Sequence, residues 1–338
     1  MKMQSLSGRS LRKREKMPSN SENEDFTMKI SVAMATYNGE KYITEQLDSL
    51  RNQTMPPDEV VICDDRSSDN TVNTVREYIE KHGLGDKWTI SLNPENLGYA
   101  NNFNRAAKKV SGDLIFFADQ DDIWKENKIE TMANIMEKHK DCKLLCTDYE
   151  PFITGKNAPE PPKSVLKKMP NDGSLKKVEL EKKTVYIGAL GCCMCARKEF
   201  LNEIEPYWFD KWAQDDRCWR LALCADGCYI LHSNLMKHRI HDSNTATYGK
   251  YHSVEKRVKL FNDMKKADEE MLSMLEENGA NEKTKKIMKK HIKMMELRIG
   301  LLSQKKFGNA IMLAKYMDCY QKKSSWGVEI VIALKNKF

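Results

Sequence analysis

Val60–Thr71 reads VVICDDRSSDNT, and the fold turns on this junction. Its apolar start, Glu59 to Cys63, is a strand entered after Pro56 and Pro57. Asp64 and Asp65 follow, and Asp69 or Asn70 then caps a helix whose Val72, Val75 and Ile79 line one side and which Gly83 ends. The same strand, polar turn and helix unit recurs outward in both directions. Upstream, Ile30 to Ala35 is a strand and Tyr42 to Gln53 a helix with Ile43, Leu47 and Leu50 on one face. Downstream come the strand Trp88 to Leu92, a helix around Asn101 to Val110, the strand Leu114 to Ala118, the helix Lys128 to His139 and the strand Lys143 to Cys146. This β-α-β-α order predicts an α/β fold with a mostly parallel central sheet flanked by helices.

The rest of the 338 residues divides around that body. Residues 1–27 are polar, without apolar periodicity, and are expected to be a disordered tail, with Met28 as the functional beginning. Pro151, Pro159, Pro161, Pro162 and Pro170 make residues 150–184 read as a long surface loop. Order returns with Val185 to Ala196, a helix near Asp215 to Ala225, and short strands at Cys228 to Leu231 and Leu235 to Arg239. The body is thus expected to span 28–250 and a helical extension 251–338.

The formal net charge of +7 belongs to that extension, which carries 19 Lys and Arg against 11 Asp and Glu and leaves the preceding residues close to neutral. Lys283, Lys285, Lys286, Lys289, Lys290 and Lys293 crowd one helix beside Ile287, Ile292, Met295 and Ile299. Two readings stay open. Either this helix packs on the body with a solvated lysine face, or its basic surface meets anionic membrane lipids while the apolar end Trp326–Leu334 dips into the interface. Nucleic-acid binding is set aside, because no aromatic stacking pattern or binding motif accompanies the charge. No window approaches the ~18 apolar residues of a membrane span, and the start lacks a secretory leader pattern. A cytoplasmic protein is expected, at most peripheral at the inner face of the membrane. The ten cysteines form no pair of C-x-x-C motifs and read as free core thiols in a reducing compartment. Cys192, Cys193 and Cys195 stand out as a redox-sensitive candidate.

Ligands of open α/β sheets sit at the carboxyl ends of the strands. Three strands here end in Thr36-Tyr37-Asn38, Asp64-Asp65 and Asp119-Gln120-Asp121-Asp122. So many carboxylates repel a phosphorylated ligand unless a divalent cation lies between them, and oxygen ligands suit Mg²⁺ or Mn²⁺. Any one acidic pair could merely start a loop or cap a helix; all three at strand ends point to a metal-nucleotide site.

The runs Ile30–Asn38 (ISVAMATYN), Val60–Thr71, Asn96–Asn104 (NLGYANNFN) and Phe116–Trp124 (FFADQDDIW) together resemble glycosyltransferase family 2, over Met28 to Tyr248, and DQDDIW is similar to its bacterial rhamnosyltransferase-like members. The resemblance implies a GT-A fold and inverting transfer from a nucleotide-diphospho-sugar. By that likeness Tyr37 stacks on the base, with Thr36 and Asn38 beside it. Asp65 accepts from a pyrimidine N3, which selects uracil or thymine, and Asp64 is a weaker candidate. Asn96 and Gly98 shape the loop beside the ribose, and Asn104 holds the family's usual Asn position, next to Phe103 where many members carry Arg. Asp119 lies near ribose or metal and Asp121 on the metal, while Asp122 is either a partner behind them or, the favoured reading, the cap of the following helix. Gly191 and Cys192 face the acceptor, and Gln214-Asp215-Asp216 resembles the element that carries the base, Asp215 first and Asp216 second. His241, in a segment like R-x-H-x-x-N, contacts metal or diphosphate, and Arg239 is a second electrostatic partner.

The implied donor is a UDP- or dTDP-sugar, with dTDP-L-rhamnose suggested by the wording of DQDDIW. The implied acceptor is a hydroxyl of a glycan or lipid-linked saccharide in cell-surface polysaccharide synthesis. A nucleotide-sugar pyrophosphorylase would need an N-terminal Gly-rich loop followed by Arg and Lys, and a dinucleotide oxidoreductase would need G-x-G-x-x-G where Tyr37-Asn38-Gly39-Glu40-Lys41 stands. A nucleotide-sugar-binding protein without transfer activity remains the other alternative.

Overall fold

A computed structural model describes residues 28–155, 158, 160–242 and 253–335. The N-terminal tail of the sequence reading, and Ser243 and Asn244 of its R-x-H-x-x-N segment, lie outside the described residues. The chain runs through β1 (Ile30–Thr36), α1 (Ile43–Arg51), β2 (Glu59–Asp64), α2 (Thr71–Lys81), β3 (Trp88–Leu92), α3 (Tyr99–Lys109) and β4 (Leu114–Ala118). Next come β5 (Ile123–Trp124), α4 (Lys128–Lys138), β6 (Leu144–Ile153), α5 (Lys163–Leu166), β7 (Leu175–Lys177), β8 (Met194–Arg197), α6 (Lys198–Glu203), α7 (Gln214–Cys224) and β9 (Cys228–Ile240). Four helices close the chain: α8 (Val254–Glu277), α9 (Glu282–Ser303), α10 (Gly308–Leu313) and α11 (Ser324–Lys335).

Alternation along the strands sorts side chains into two cores, one on each face of the sheet. Ile30, Val32, Met34, Val60, Ile62, Leu114 and Phe116 join residues of α1, α2 and α4 in one core. Ala33, Val61, Cys63, Ile115 and Phe117 join α3, α7 and α8 in the other. Strand order is β3-β2-β1-β4-β8-β6-β9-β5, with β7 on β9. The first four strands are mutually parallel as expected, but β8 lies antiparallel to both β4 and β6. It enters from the end where β4 stops, so Gly191–Cys193, one turn of 3-10 helix, sits against the carboxyl end of β4. The register of β1 on β2 sets Thr36 opposite Asp64 and brings two of the polar strand ends together.

Beyond residue 140 the strands depart from local pattern. β6 continues through Pro151, in register opposite His238 of β9, to Ile153, where the sequence predicts a loop; β8 pairs β6 only at Leu144, Leu145 and Cys146, which leaves the proline on a strand edge. The two short strands expected near the end of the body are one strand, β9. The extension packs on the body: Ala267, Met271, Met274 and Leu275 of α8 and Met288 of α9 complete the second core, and Arg220 of α7 bonds Asp268 of α8 at 2.8 Å. The α9 lysines find local partners, Lys285 and Lys289 on Glu282, Lys290 on Asp318 and Lys293 on Glu296. Among the described residues no helix is long and apolar enough to cross a membrane. All ten cysteines are free, and nine of them are buried.

Candidate active site

Where β1 and β2 end, Asp64 and Asp65 do different work. Asp64 is fully buried and accepts from Thr36 Oγ1 (2.8 Å), Ser67 N–H (2.8 Å) and Ser67 Oγ (2.6 Å). It therefore ties the two strand ends and closes the turn through Arg66, whose φ is 68°. Thr36 is buried in this joint. Asp65 reaches the other way, accepting from Asn93 Nδ2 (2.8 Å), Leu97 N–H (2.7 Å) and Gly98 N–H (2.8 Å). Asn96 Nδ2 donates to its carbonyl at 3.0 Å, and Gly98 takes a φ of 78° that favours glycine. A carboxylate has about four acceptor positions, so one remains on Asp65 Oδ2 for a ligand donor.

Asn102 completes this corner, donating to the Cys63 carbonyl (2.8 Å) and accepting from Asn93 Nδ2 (2.8 Å). The sequence reading chose Asn104. Two residues apart on a helix means about 200° of rotation, and Asn104 faces α7, where Arg217 Nη2 lies 3.4 Å away. Helical period alone would have separated the two asparagines. Tyr37 is half exposed, and Gln120 clamps its backbone, accepting from its N–H (2.8 Å) and donating to its carbonyl (2.9 Å). A Cβ on Gly39 would lie 2.2 Å from Gln120 Oε1, so a side chain there would push Gln120 off this clamp. Asn38, with a φ of 49°, accepts from Ser68 N–H at 2.8 Å and so knits the first turn to the second.

After β4, Asp121 Oδ2 stands 2.8 Å from His241 Nε2. Asp122 is fully buried; its Oδ1 accepts from Arg239 N–H (2.9 Å) and contacts His238 Nδ1 (2.9 Å). This corrects the helix-cap reading: α4 starts six residues later with Asn127 at its cap position, and Asp122 instead latches β9 to the end of β4. Burial opposes a charge on His238, but its bond to Asp122 outweighs that and holds its pKa at about 9. Burial, then the charges of Asp122 and Asp121, push Asp119 up to about 7. Arg239, expected as a partner for diphosphate, is buried and committed: Nε donates to the Asp121 carbonyl (2.7 Å) and Nη2 to Glu45 (2.8 Å), between the rings of Tyr42 and Phe152. It positions the Asp121 turn.

Two donor sets lie here. Asp119, Asp121 and His241 combine carboxylate oxygens with an imidazole, a chemistry that fits Mn²⁺ or Mg²⁺, and the repulsion that raises Asp119 is what a divalent cation would relieve. Asp122, Cys192 and His238 hold ligand atoms within 4.8 Å of one another. His238 is already bonded to Asp122, and the neighbouring Cys193 thiol and burial among carboxylates push the Cys192 thiol well above its usual range, so it stays protonated.

Gly191 and Cys192 bridge to the remaining candidates. Cys192 Sγ lies within 4.8 Å of ligand atoms of Asp122 and His238, and the Cys192 carbonyl accepts from the buried Lys128 at 2.5 Å. A Cβ on Gly191 would lie 3.2 Å from Asp215 Cβ. Asp215 opens α7, accepts from Asp216 N–H (2.8 Å), and is raised to about 6 by burial and then by Asp216. Asp216 is occupied, accepting from Trp212 Nε1 and Arg220 Nε, both at 2.8 Å.

Residues 31–204 match the family model described as Glycosyl transferase family 2. Over 121 residues the chain is 40% identical to poly(ribitol-phosphate) beta-N-acetylglucosaminyltransferase TarS of Staphylococcus aureus, covering 35% of this chain and 21% of TarS. Over 110 residues it is 36% identical to UDP-Glc:alpha-D-GlcNAc-diphosphoundecaprenol beta-1,3-glucosyltransferase WfgD of Escherichia coli, covering 32% of this chain and 42% of WfgD. The matched stretches thus span less than half of either relative. In structure the chain is similar to S. aureus TarS 1-349 in complex with UDP, with a TM-score of 0.58 and 22% identity over 84% of this chain and 75% of that one. It is also similar to the mannosyltransferase PcManGT from Pyrobaculum calidifontis in complex with GDP-Man and Mn2+, with a TM-score of 0.52 and 17% identity over 93% and 90%. Both carry the same mixed sheet flanked by helices.

Proposed function

The chain belongs to glycosyl transferase family 2, and from that premise we propose that it transfers a sugar, with inversion, from a UDP- or dTDP-sugar to a hydroxyl of a glycan or lipid-linked saccharide in cell-surface polysaccharide synthesis. One observation carries the reading. Two adjacent residues join Asp215 to the carboxylate cluster after β4: a Cβ on Gly191 would lie 3.2 Å from Cβ of Asp215, whose carboxyl is raised to about 6, and Cys192 Sγ lies within 4.8 Å of a carboxylate oxygen of Asp122 in that cluster. A base and a diphosphate-holding cluster on either side of one short loop are what an in-line displacement needs.

The acceptor hydroxyl attacks the anomeric carbon, the bond to the nucleoside diphosphate breaks, and Asp215 takes the hydroxyl proton. Asp119, Asp121 and His241 would hold Mn²⁺ or Mg²⁺, which would supply stabilisation of the charge developing on the leaving diphosphate. Tyr37 offers a ring to the base, on a backbone stiffened by Gln120. Asp65 offers its remaining acceptor position to the N3–H of uracil or thymine. Names of relatives favour a UDP donor over the dTDP-L-rhamnose suggested by sequence likeness. They also favour an acceptor on a polyol-phosphate or undecaprenol-linked chain. Contact with a membrane through the basic C-terminal region fits such an acceptor. Against a binding protein without transfer activity stands the protonation-tuned Asp215.

A thermal-shift series with UDP-, dTDP- and GDP-sugars plus Mn²⁺ tests the donor. Binding at a hundred times the dissociation constant stabilises by about 2.7 kcal/mol, and a preference for GDP-sugar contradicts the role given to Asp65. Full transfer activity in excess EDTA, or in Asp121→Ala, contradicts the metal assignment.

A further inference from the structure

Helix α11 is apolar on two sides: Trp326, Ile330 and Ile332 pack against the core formed by α8, α9 and α10. Its one carboxylate, Glu329, is fully buried together with Ala333, while Val328, Val331 and Leu334 face outward at 46%, 47% and 55% exposure. The rotation is set by Arg298 of α9, which donates to Glu329 Oε2 through Nε (3.1 Å) and to Oε1 through Nη2 (2.5 Å). Phe261 and Tyr320 flank the guanidinium at 3.8 and 4.7 Å, and Tyr320 OH adds a bond to Glu329 at 3.3 Å. Turning α11 to bury Val328, Val331 and Leu334 instead would strand this buried pair and pull Ile330 and Ile332 off the core, so the fold holds these three side chains out.

Helix α10 adjoins it, with Trp326 Nε1 donating to the Ala310 carbonyl at 2.9 Å. Among the described residues Ile311, at 79%, is the most exposed of the large apolar side chains, and Met312 and Phe307 are about half exposed. Five of the eleven exposed large apolar residues among those described therefore fall on these two elements, and Phe307 immediately precedes α10. Lys305, Lys306, Lys315, Lys322, Lys323 and Lys335 are exposed around them. Within 304–335 the acids are Glu329, buried, and Asp318, held by Lys182 and Lys290. The α9 lysines, which the sequence suggested as the lipid-facing charge, are largely engaged with neighbouring acids instead.

We propose that α10 and the outer side of α11 dock on an anionic lipid bilayer. The apolar side chains enter the headgroup-acyl boundary, and the surrounding lysines meet lipid phosphates. At 12 residues α11 is too short to span and lies along the surface. A second copy of the chain is a poorer occupant, because a two-fold interface would set the lysine rims against each other. The proposal rests on these side chains and not on the assigned sugar-transfer chemistry.

The test is vesicle co-sedimentation of the full chain, with phosphatidylcholine alone and with phosphatidylglycerol added. Binding is expected only with the anionic lipid. It should fall about tenfold or more in Ile311→Ser/Val331→Ser, and separately in Lys322→Glu/Lys323→Glu, with thermal melts unchanged because all four residues are exposed. Absence of binding to anionic vesicles, or equal binding to both, overturns the proposal. So does a dimer in sedimentation velocity that Ile311→Ser/Val331→Ser abolishes, which would make this face a contact between copies.

Discussion

Asp215→Asn separates catalysis from folding in one nearly isosteric change. The bond from Asp216 N–H to Asp215 Oδ1 survives in the amide. What disappears is a carboxyl whose pKa burial and Asp216 raise from 3.8 to about 6. Two units correspond to about 3 kcal/mol against the ionised form in the folded state, reduced in practice by the partial exposure of the group. The folded pKa lies above the unfolded one, so proton binding favours the fold. That stability is fully present below about pH 4 and lost as pH rises through about 6. At pH 8 the wild-type protein has lost it, whereas the amide has nothing to ionise. Asp215→Asn should therefore be more stable than wild type by about 1–3 kcal/mol at pH 8 and equal to it near pH 4. Its kcat should fall by ~10²–10⁴ while donor affinity stays within a few-fold. Wild-type kcat should rise with pH through about 6 and then level, and the residual rate of the variant should be flat across that range. Nucleoside diphosphate release and thermal melts at pH 4, 6 and 8 provide the readouts. Wild-type kcat in the variant, or loss of activity together with loss of stability at pH 8, refutes the role given to Asp215.

Asp216→Ala should do the opposite, lowering stability by about 1–3 kcal/mol because the Trp212 indole N–H loses its acceptor, while kcat of the folded protein stays within tenfold. Gly39→Ala drives a Cβ into Gln120, 2.2 Å from its Oε1. Calorimetry should show donor binding weakened about tenfold as the clamp on the Tyr37 backbone is lost, equivalent to about 1.4 kcal/mol. Arg298→Met leaves Glu329 buried without its cation and should cost about 3–5 kcal/mol in denaturant melts. Adding Glu329→Leu should restore most of it, and a double variant no more stable than the single one would show that the pair does not set the α11 rotation.

The alternating strands and helices up to α4 follow from sequence because periodicity needs only neighbours a few residues apart, and the acidic strand ends follow from the same pattern. Local reading failed where the partner is distant. Asp122 looked like a helix cap because a helix follows it, yet it bonds Arg239 and His238 more than a hundred residues away. Gln120 looked like the neutral spacer of an acidic motif, and its clamp on Tyr37 crosses 83 residues. Motif position points to Asn104, although helical rotation turns it to α7 and sets Asn102 at the corner beside Asp65. Pro151 reads as part of a surface loop, yet it lies within β6, beyond the stretch that β8 pairs.

By itself the sequence determines the kind of sheet and the carboxylates gathered at its strand ends, since both are properties of short contiguous runs. Only the tertiary structure decides which carboxylates are spent on the fold and which are left for chemistry. Asp64, Asp122 and Asp216 accept from donors that packing brings to them, whereas Asp215 is half-buried beside a like charge and acquires a proton affinity near neutrality. The same holds for α11, whose composition is apolar in any context. Val328, Val331 and Leu334 point outward because a buried arginine on another helix claims the single glutamate on the opposite side.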